Sequence, residues 1–266
     1  MKFEINLIAL ILRKFKVIGL QTKIRVGAVS YLNTKPLIYG FENGMMKDEV
    51  DLIIDYPAKI GSLLLNNQID VGLIPVAVIP LMKEYHIISD YCIGSVGEVA
   101  SVCLFSEVPL QQIETILLDY QSRTSVALLK ILIKEYWKLN VVFEETSGNY
   151  QTRIVGSTAG LVIGDRALMQ RKVSAFTYDL GEEWKKFTGL PFVYAAWVSN
   201  KQLDDNFVQH FNKATRDGCA HIEEIVATNV FEDYDLNIYY TQNIDYLLDE
   251  AKRNALNLFL EYLAKQ

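Results

Sequence analysis

From Ile24 onward, short apolar runs alternate with segments whose apolar positions recur at helical spacing. Ile24–Val29 (IRVGAV) reads as a buried strand, and Ser30 to Thr34 as a polar turn. Pro36 then stands in the first turn of a helix, where its missing N–H would have no partner anyway. Val50–Asp55 (VDLIID) is a second strand. Pro57 opens a second helix with Ile60, Leu63, Leu64 and Leu65 on or near one face, and residues 69–74 form a third strand. This β-α-β-α-β order predicts parallel strands joined by right-handed crossovers.

The pattern continues with strands expected over residues 99–105 and 113–118, then a helix capped by Ser122 and running to about Trp137. Further strands are expected at 141–144, 159–163, 175–178 and 192–198. After Asn200 only helices are expected, over 204–228 and 244–264. A chain that runs through strands and helices, crosses over, repeats the pattern and returns with helices suggests two lobes without a flexible linker. The expected architecture is an α/β clamshell, each lobe a mainly parallel sheet flanked by helices, with ligand bound between them. Residues 24–100 and 198–266 would form one lobe and residues 101–197 the other, hinged near Ser101 and Trp197. One long doubly wound sheet is the competing arrangement.

Residues 1–23 stand apart. Their apolar run, residues 5–12, is too short to span a bilayer. Arg13, Lys14 and Lys16 follow the run, whereas a signal peptide has its charges first. A short interfacial helix is one reading and a non-native extension the preferred one, so no stable membrane insertion is expected. Charge adds a constraint. With 26 basic and 32 acidic residues the net charge is -6 and no basic run occurs, which speaks against nucleic acid as a partner. A small anion remains possible if a local pocket holds it against the global field. Cys92, Cys103 and Cys219 are scattered, with no CxxC, and suit a reducing compartment such as the cytoplasm. His86, His210 and His221 share no metal-ligand spacing, so no metal site is expected.

Ligands of parallel sheets sit beyond the carboxyl ends of strands, so polar residues just after the predicted strands are the candidates. Ser30 and Asn33 offer a hydroxyl and an amide, though both residue types also favour turns and caps. In residues 94–101 (GSVGEVAS), Ser95, Gly97 and Ser101 would let backbone amides cradle an anion, or would simply form a loop. Ser122, Arg123, Thr124 and Ser125 place three hydroxyls and a guanidinium at one helix N-terminus, the strongest anion signal in the chain. After the strand at 159–163 stand Gly164 and Asp165; Asp165 would bond a ligand hydroxyl, act as a base, or cap the helix that follows. Asp179 and Trp184 read as the start of a surface helix. No GxSxG, P-loop or GxGxxG is present, which disfavours an activated nucleophile.

The runs SYLNTKPL, SDYCIGSVGEVASVCLFS, LDYQSRTSVALL, IGDRAL and YDLGEEWKKFTGLPFVYAAWV, in that order, resemble the chorismate dehydratase family of the futalosine route to menaquinone. The resemblance covers the chain from about Ile24 to the C-terminus. It implies the type 2 periplasmic-binding-protein fold and a lyase that converts chorismate to 3-[(1-carboxyvinyl)oxy]benzoate. It also implies no redox cofactor and no metal. The sister enzyme, 1,4-dihydroxy-6-naphthoate synthase, shares the fold but typically carries a Ser-Pro-Cys-Pro-Asn-Asp-like run where this chain has SYLN. A solute-binding protein of the same fold is the other alternative, for which an export signal is expected. On this resemblance Asn33, Ser30 and Asp165 are expected to act in catalysis. Ser95, Gly97, Ser101, Ser122, Arg123, Thr124, Ser125 and Gly164 are expected to bind substrate. The base would be Asp165 or a carboxylate of the substrate itself.

Overall fold

The computed structural model describes residues 23–266, so the extension expected over residues 1–23 lies, but for Lys23, outside the described residues. Its first half is the expected alternation: β1 (Ile24–Val29), α1 (Lys35–Glu42), β2 (Val50–Asp55), α2 (Pro57–Leu65) and β3 (Val71–Pro75). Pro36 and Pro57 both sit in first turns, where the ring presets φ and no hydrogen bond is lost. β1 pairs in parallel with β2 on one side and β3 on the other. Next come β4 (His86–Ser95), and much later β10 (Phe192–Ser199) and β11 (Asp245–Leu247). These complete a six-stranded sheet in the order β11-β4-β10-β3-β1-β2.

A second sheet is built from β5 (Val102–Ser106), β6 (Thr115–Leu118), β7 (Val142–Glu145), β8 (Thr158–Ile163) and β9 (Phe176–Asp179), in the order β7-β6-β8-β5-β9. Around the sheets lie α3 (Arg123–Ile131), α4 (Asp165–Gln170), α5 (Leu180–Thr188), α6 (Asp205–Ala220), α7 (Ile222–Thr228), α8 (Leu236–Ile238) and α9 (Glu250–Ala264). α3 runs on as a π-helical turn, Leu132–Trp137, and stops at Lys138, whose φ is 54°.

Four features differ from the expectation. Both sheets are mixed: β6 pairs in parallel with β7 and β8, but β5 is antiparallel to β8 and β9, and β10 to β3 and β4. Parallel pairs arise where a helix carries the chain back, and antiparallel ones where a strand enters from the other unit. The boundary expected at 197/198 falls inside β10, with Trp197 in register with Leu73 of β3, so the chain has already rejoined the six-stranded sheet at Phe192. β4, the longest strand, was not expected, and β11 interrupts a region read as helical only. The strand expected from residue 99 begins at Val102, because Ala100 bends the chain with φ at 61°.

One apolar cluster runs through both units, from Val26, Leu73 and Trp197 to Leu104, Ile116 and Leu161. Each fully buried side chain of this size contributes roughly 1.5–3 kcal/mol. α1 and α6 approach unusually closely: a Cβ on Gly218 would lie 2.0 Å from the Pro36 carbonyl oxygen, and one on Gly40 would lie 2.4 Å from that of Ala214. That contact anchors α1, and with it the turn between β1 and α1.

Candidate functional site

The carboxyl end of β1 opens into a cavity of about 50 Å³ between the two sheets, too small as it stands for a drug-sized ligand. Val29, Ile93, Tyr194 and Ala195 of the six-stranded sheet line one side. Ser101, Val102, Ile163 and Gly164 line the other, and the first turn of α3 closes it. Among the described residues, the wall carries no charged side chain. Its chemistry is one amide and a set of hydroxyls.

The amide is Asn33, buried on the 3-10 turn Leu32–Thr34. Its main-chain oxygen accepts from the Tyr246 hydroxyl at 3.0 Å, and the Leu32 N–H next to it donates to Asp165 Oδ1 at 3.1 Å. Ser101 is fully buried. Its Oγ accepts from the Tyr239 hydroxyl at 2.8 Å, and its backbone oxygen accepts the Gly164 N–H at 2.8 Å. At α3, the Ser122 hydroxyl caps the helix by accepting the Ser125 N–H at 3.0 Å. Thr124 Oγ1 accepts from Ala77 N–H at 3.2 Å, which ties the helix to the turn after β3. Ser122, Thr124 and Ser125 all belong to the wall.

Gly164 has a conformational reason to be glycine. Its φ is +65°, and a Cβ there would sit 2.9 Å from the Tyr31 ring. Tyr31 thus lies flat against the opposite unit. Its hydroxyl, whose proton burial retains more firmly than usual, reaches Gln121. Arg166 donates to the same Gln121 oxygen at 2.9 Å and to buried Asp119 at 2.8 Å, and Tyr150 donates to Asp119 at 2.8 Å.

Of the expected residues, Asn33, Ser101, Ser122, Thr124, Ser125 and Gly164 come together in this wall, and five others do not. Ser30 is exposed, with its N–H donated to Asp55 O at 3.1 Å. Arg123 turns away along its helix and donates to Ser62 of α2 at 3.1 Å. Asp165 stands behind the wall and holds the turn that carries Asn33; burial pushes its carboxyl up from the ordinary range. Ser95 and Gly97 face α5 instead, Ser95 Oγ donating to the Gly97 oxygen at 3.0 Å.

The amide cradle expected in residues 94–101 exists but is filled from within. Val99 and Ala100 donate their N–H groups to the Asp179 carboxylate at 3.0 and 2.8 Å. Gly181 and Glu182 add theirs at 3.0 and 3.2 Å. Asp179 therefore caps α5, as a helix start should, but it and Trp184 are buried rather than on the surface. Burial pushes the Asp179 carboxyl up to about 6, against the pull of those amides. The two bonds from Val99 and Ala100 also tie the segment that leaves the six-stranded sheet to the start of α5.

Sequence reasoning missed the tyrosines. Tyr31 lies inside the SYLN run, and the period of two that buries Val29 and exposes Ser30 would have pointed to it. Tyr239 and Tyr246 gave no local signal; only the tertiary fold brings them under the wall.

The chain matches the model of the family described as menaquinone biosynthesis over residues 24–265. The chain belongs to the menaquinone-biosynthesis family. It is 27% identical to a chorismate dehydratase from Thermus thermophilus, across 90% of this chain and 94% of the relative. A crystal structure of an Archaeoglobus fulgidus protein superposes with a TM-score of 0.73 at 17% identity, covering 91% of this chain and 97% of that one. A Candida albicans gene product exhibiting the generic periplasmic binding protein fold superposes with a TM-score of 0.59 at 12% identity, covering 91% and 94%. This member of the menaquinone-biosynthesis family thus has the periplasmic-binding-protein-like architecture of two sheets with a cavity between them.

Proposed function

We propose that the chain is a carbon–oxygen lyase that dehydrates chorismate to 3-[(1-carboxyvinyl)oxy]benzoate in the cavity between the sheets. The observation that carries the reading is the wall itself: a buried amide, Asn33, faces helix-cap and strand-end hydroxyls with no charged side chain among them. Chorismate is a dianion with a ring hydroxyl to lose. The Ser122, Thr124 and Ser125 turn offers hydroxyls and the N-terminal end of α3 to one carboxylate. In this reading Asn33 donates to the departing hydroxyl.

In this elimination the ring C–H beside the ether oxygen gives up its proton. Its electron pair becomes the new ring double bond, and the C–O bond to the hydroxyl breaks. The proton and hydroxide together make the water released. The product ring is aromatic, so the step is strongly downhill, and the protein's task is orientation rather than strong base catalysis. Asp165 is engaged with Leu32 behind the wall, which leaves the substrate's own enolpyruvyl carboxylate as the base. No cofactor or metal is required by this balance, and a reducing cytoplasmic setting suits the three free thiols.

The test is incubation of purified protein with chorismate, with products followed by chromatography and mass, with and without a chelator. The expected outcome is the dehydrated enolpyruvyl benzoate in both arms. Intact chorismate that raises the melting temperature would overturn the lyase reading in favour of a binding protein. Hydroxybenzoate and pyruvate would mean loss of enolpyruvate instead of water.

A further inference from the structure

We propose that Tyr239 is a positioning residue that aims the Ser101 hydroxyl into the cavity, so that this hydroxyl donates to a substrate oxygen. The inference rests on the cavity being the chorismate site, and it brings into that site a C-terminal segment that shares no wall with it.

Tyr239 opens the π-helical turn Tyr239–Asn243, directly after α8. Its placement is over-determined. Asp235 caps α8 by accepting the Asn237 and Ile238 N–H groups at 2.8 and 3.1 Å. Tyr234 donates to Asn243 Oδ1 at 3.0 Å, and its ring meets that of Tyr239 edge-on at 6.1 Å. Tyr239 itself has no exposed surface. Burial holds its proton far more firmly than in water, so its hydroxyl is a permanent donor, and it donates to Ser101 Oγ at 2.8 Å.

Ser101 is left with one free valence. Its N–H donates to the Val99 oxygen at 2.8 Å, and its carbonyl accepts from Gly164. The hydroxyl's own contact, back to the Val99 oxygen, is 3.5 Å. That is long for O–H···O, where about 2.7 Å is usual. A ligand oxygen in the cavity therefore replaces it at little cost. A hydroxyl that accepts from a buried donor is also polarised into a better donor. Tyr246 fixes the backbone of Asn33 by donating to its main-chain oxygen at 3.0 Å. One segment thus holds the Ser101 hydroxyl through Tyr239 and the backbone that carries Asn33 through Tyr246.

A double-mutant cycle reads whether Tyr239 acts through Ser101. Tyr239→Phe and Ser101→Ala are each expected to lower kcat/KM for chorismate about tenfold, the scale of one buried hydrogen bond. The double variant is expected to fall no further than the worse single one. Multiplying losses, or a Tyr239→Phe variant with wild-type turnover, would overturn the proposal. Replacing Tyr239 by 3-fluorotyrosine, a stronger donor of nearly the same shape, is expected to raise kcat at an unchanged melting temperature; an unchanged kcat counts against it. The same cycle is also read in the binding of benzoate by calorimetry. Coupled losses there in a protein inert to chorismate would overturn the lyase reading and keep the role of Tyr239, whereas additive losses in both assays would overturn that role.

Discussion

Asn33 reaches the cavity on one 3-10 turn held at two points from far away in sequence, by Asp165 at the Leu32 N–H and by Tyr246 at the main-chain oxygen of Asn33. Its side-chain Oδ1 accepts from Thr34 Oγ1 at 3.3 Å, and the Tyr239 hydroxyl is a second polar neighbour of the same amide. Asn33→Ala is expected to reduce kcat by about 100-fold while KM changes little, as when one preorganised donor to a developing charge is lost. Steady-state kinetics with chorismate check this, and near-normal turnover would remove Asn33 from the mechanism. At this scale the sequence was only partly legible. Residues after strand ends were the right places to look, and Asn33, Ser101 and the Ser122 turn lie in the wall. Which neighbour points inward depends on partners the local pattern does not contain. Arg123 looked like the natural anion ligand, yet the adjacent α2 offers Ser62. The glycine-containing loop looked like an open cradle, yet Asp179, 79 and 80 residues away from the amides of Ala100 and Val99, already fills it.

Elements are tied together by a few buried charges, and Asp70 is the clearest. It sits just before β3, takes Arg25 Nε and Nη2 of β1 at 3.0 Å each, and takes Lys201, just after β10, at 2.8 Å. These partners hold its carboxyl far below the usual carboxylate range. Because the folded state favours the ionised form, the stabilisation is present above the unfolded value near 4 and is lost as pH falls below it. Asp70→Asn is expected to lower stability by about 2 kcal/mol at pH 7, with the difference from wild type shrinking as denaturation is measured at progressively lower pH. A gap independent of pH would show that the pairings contribute nothing. Element prediction succeeded where an apolar run faces a core on both sides, as in β1 and β8. It failed for β4 because HIISDYCIGS is broken by Ser89 and Asp90. Ser89 is buried but bonded to Asn212 of α6 at 2.8 Å, and Asp90 faces solvent. A polar residue satisfied by another helix looks, in sequence, like the end of a strand.

Across the whole molecule, the two sheets share an apolar cluster and are also bridged by hydrogen bonds around the cavity. Tyr31 reaches the Gln121 side chain, Leu32 N–H reaches Asp165, Ala58 N–H reaches the Gln121 main-chain oxygen at 3.1 Å, and Ala77 N–H reaches Thr124. The Tyr31 ring covers Gly164. A cavity of about 50 Å³ admits a ligand the size of chorismate only if several of these part, so binding there would require the units to separate. Tyr31 contributes to that contact through both its ring and its hydroxyl. If Tyr31→Ala lowers the closed fraction tenfold, the apparent affinity for chorismate falls about tenfold, because only the closed form completes the wall. The same variant is expected to show a larger radius of gyration than wild type by small-angle X-ray scattering in the absence of ligand, and to lose part of that difference when product is added. A weaker affinity with an unchanged radius would make Tyr31 a simple contact residue. A larger radius with wild-type affinity would mean that closure around this cavity does not govern binding at all.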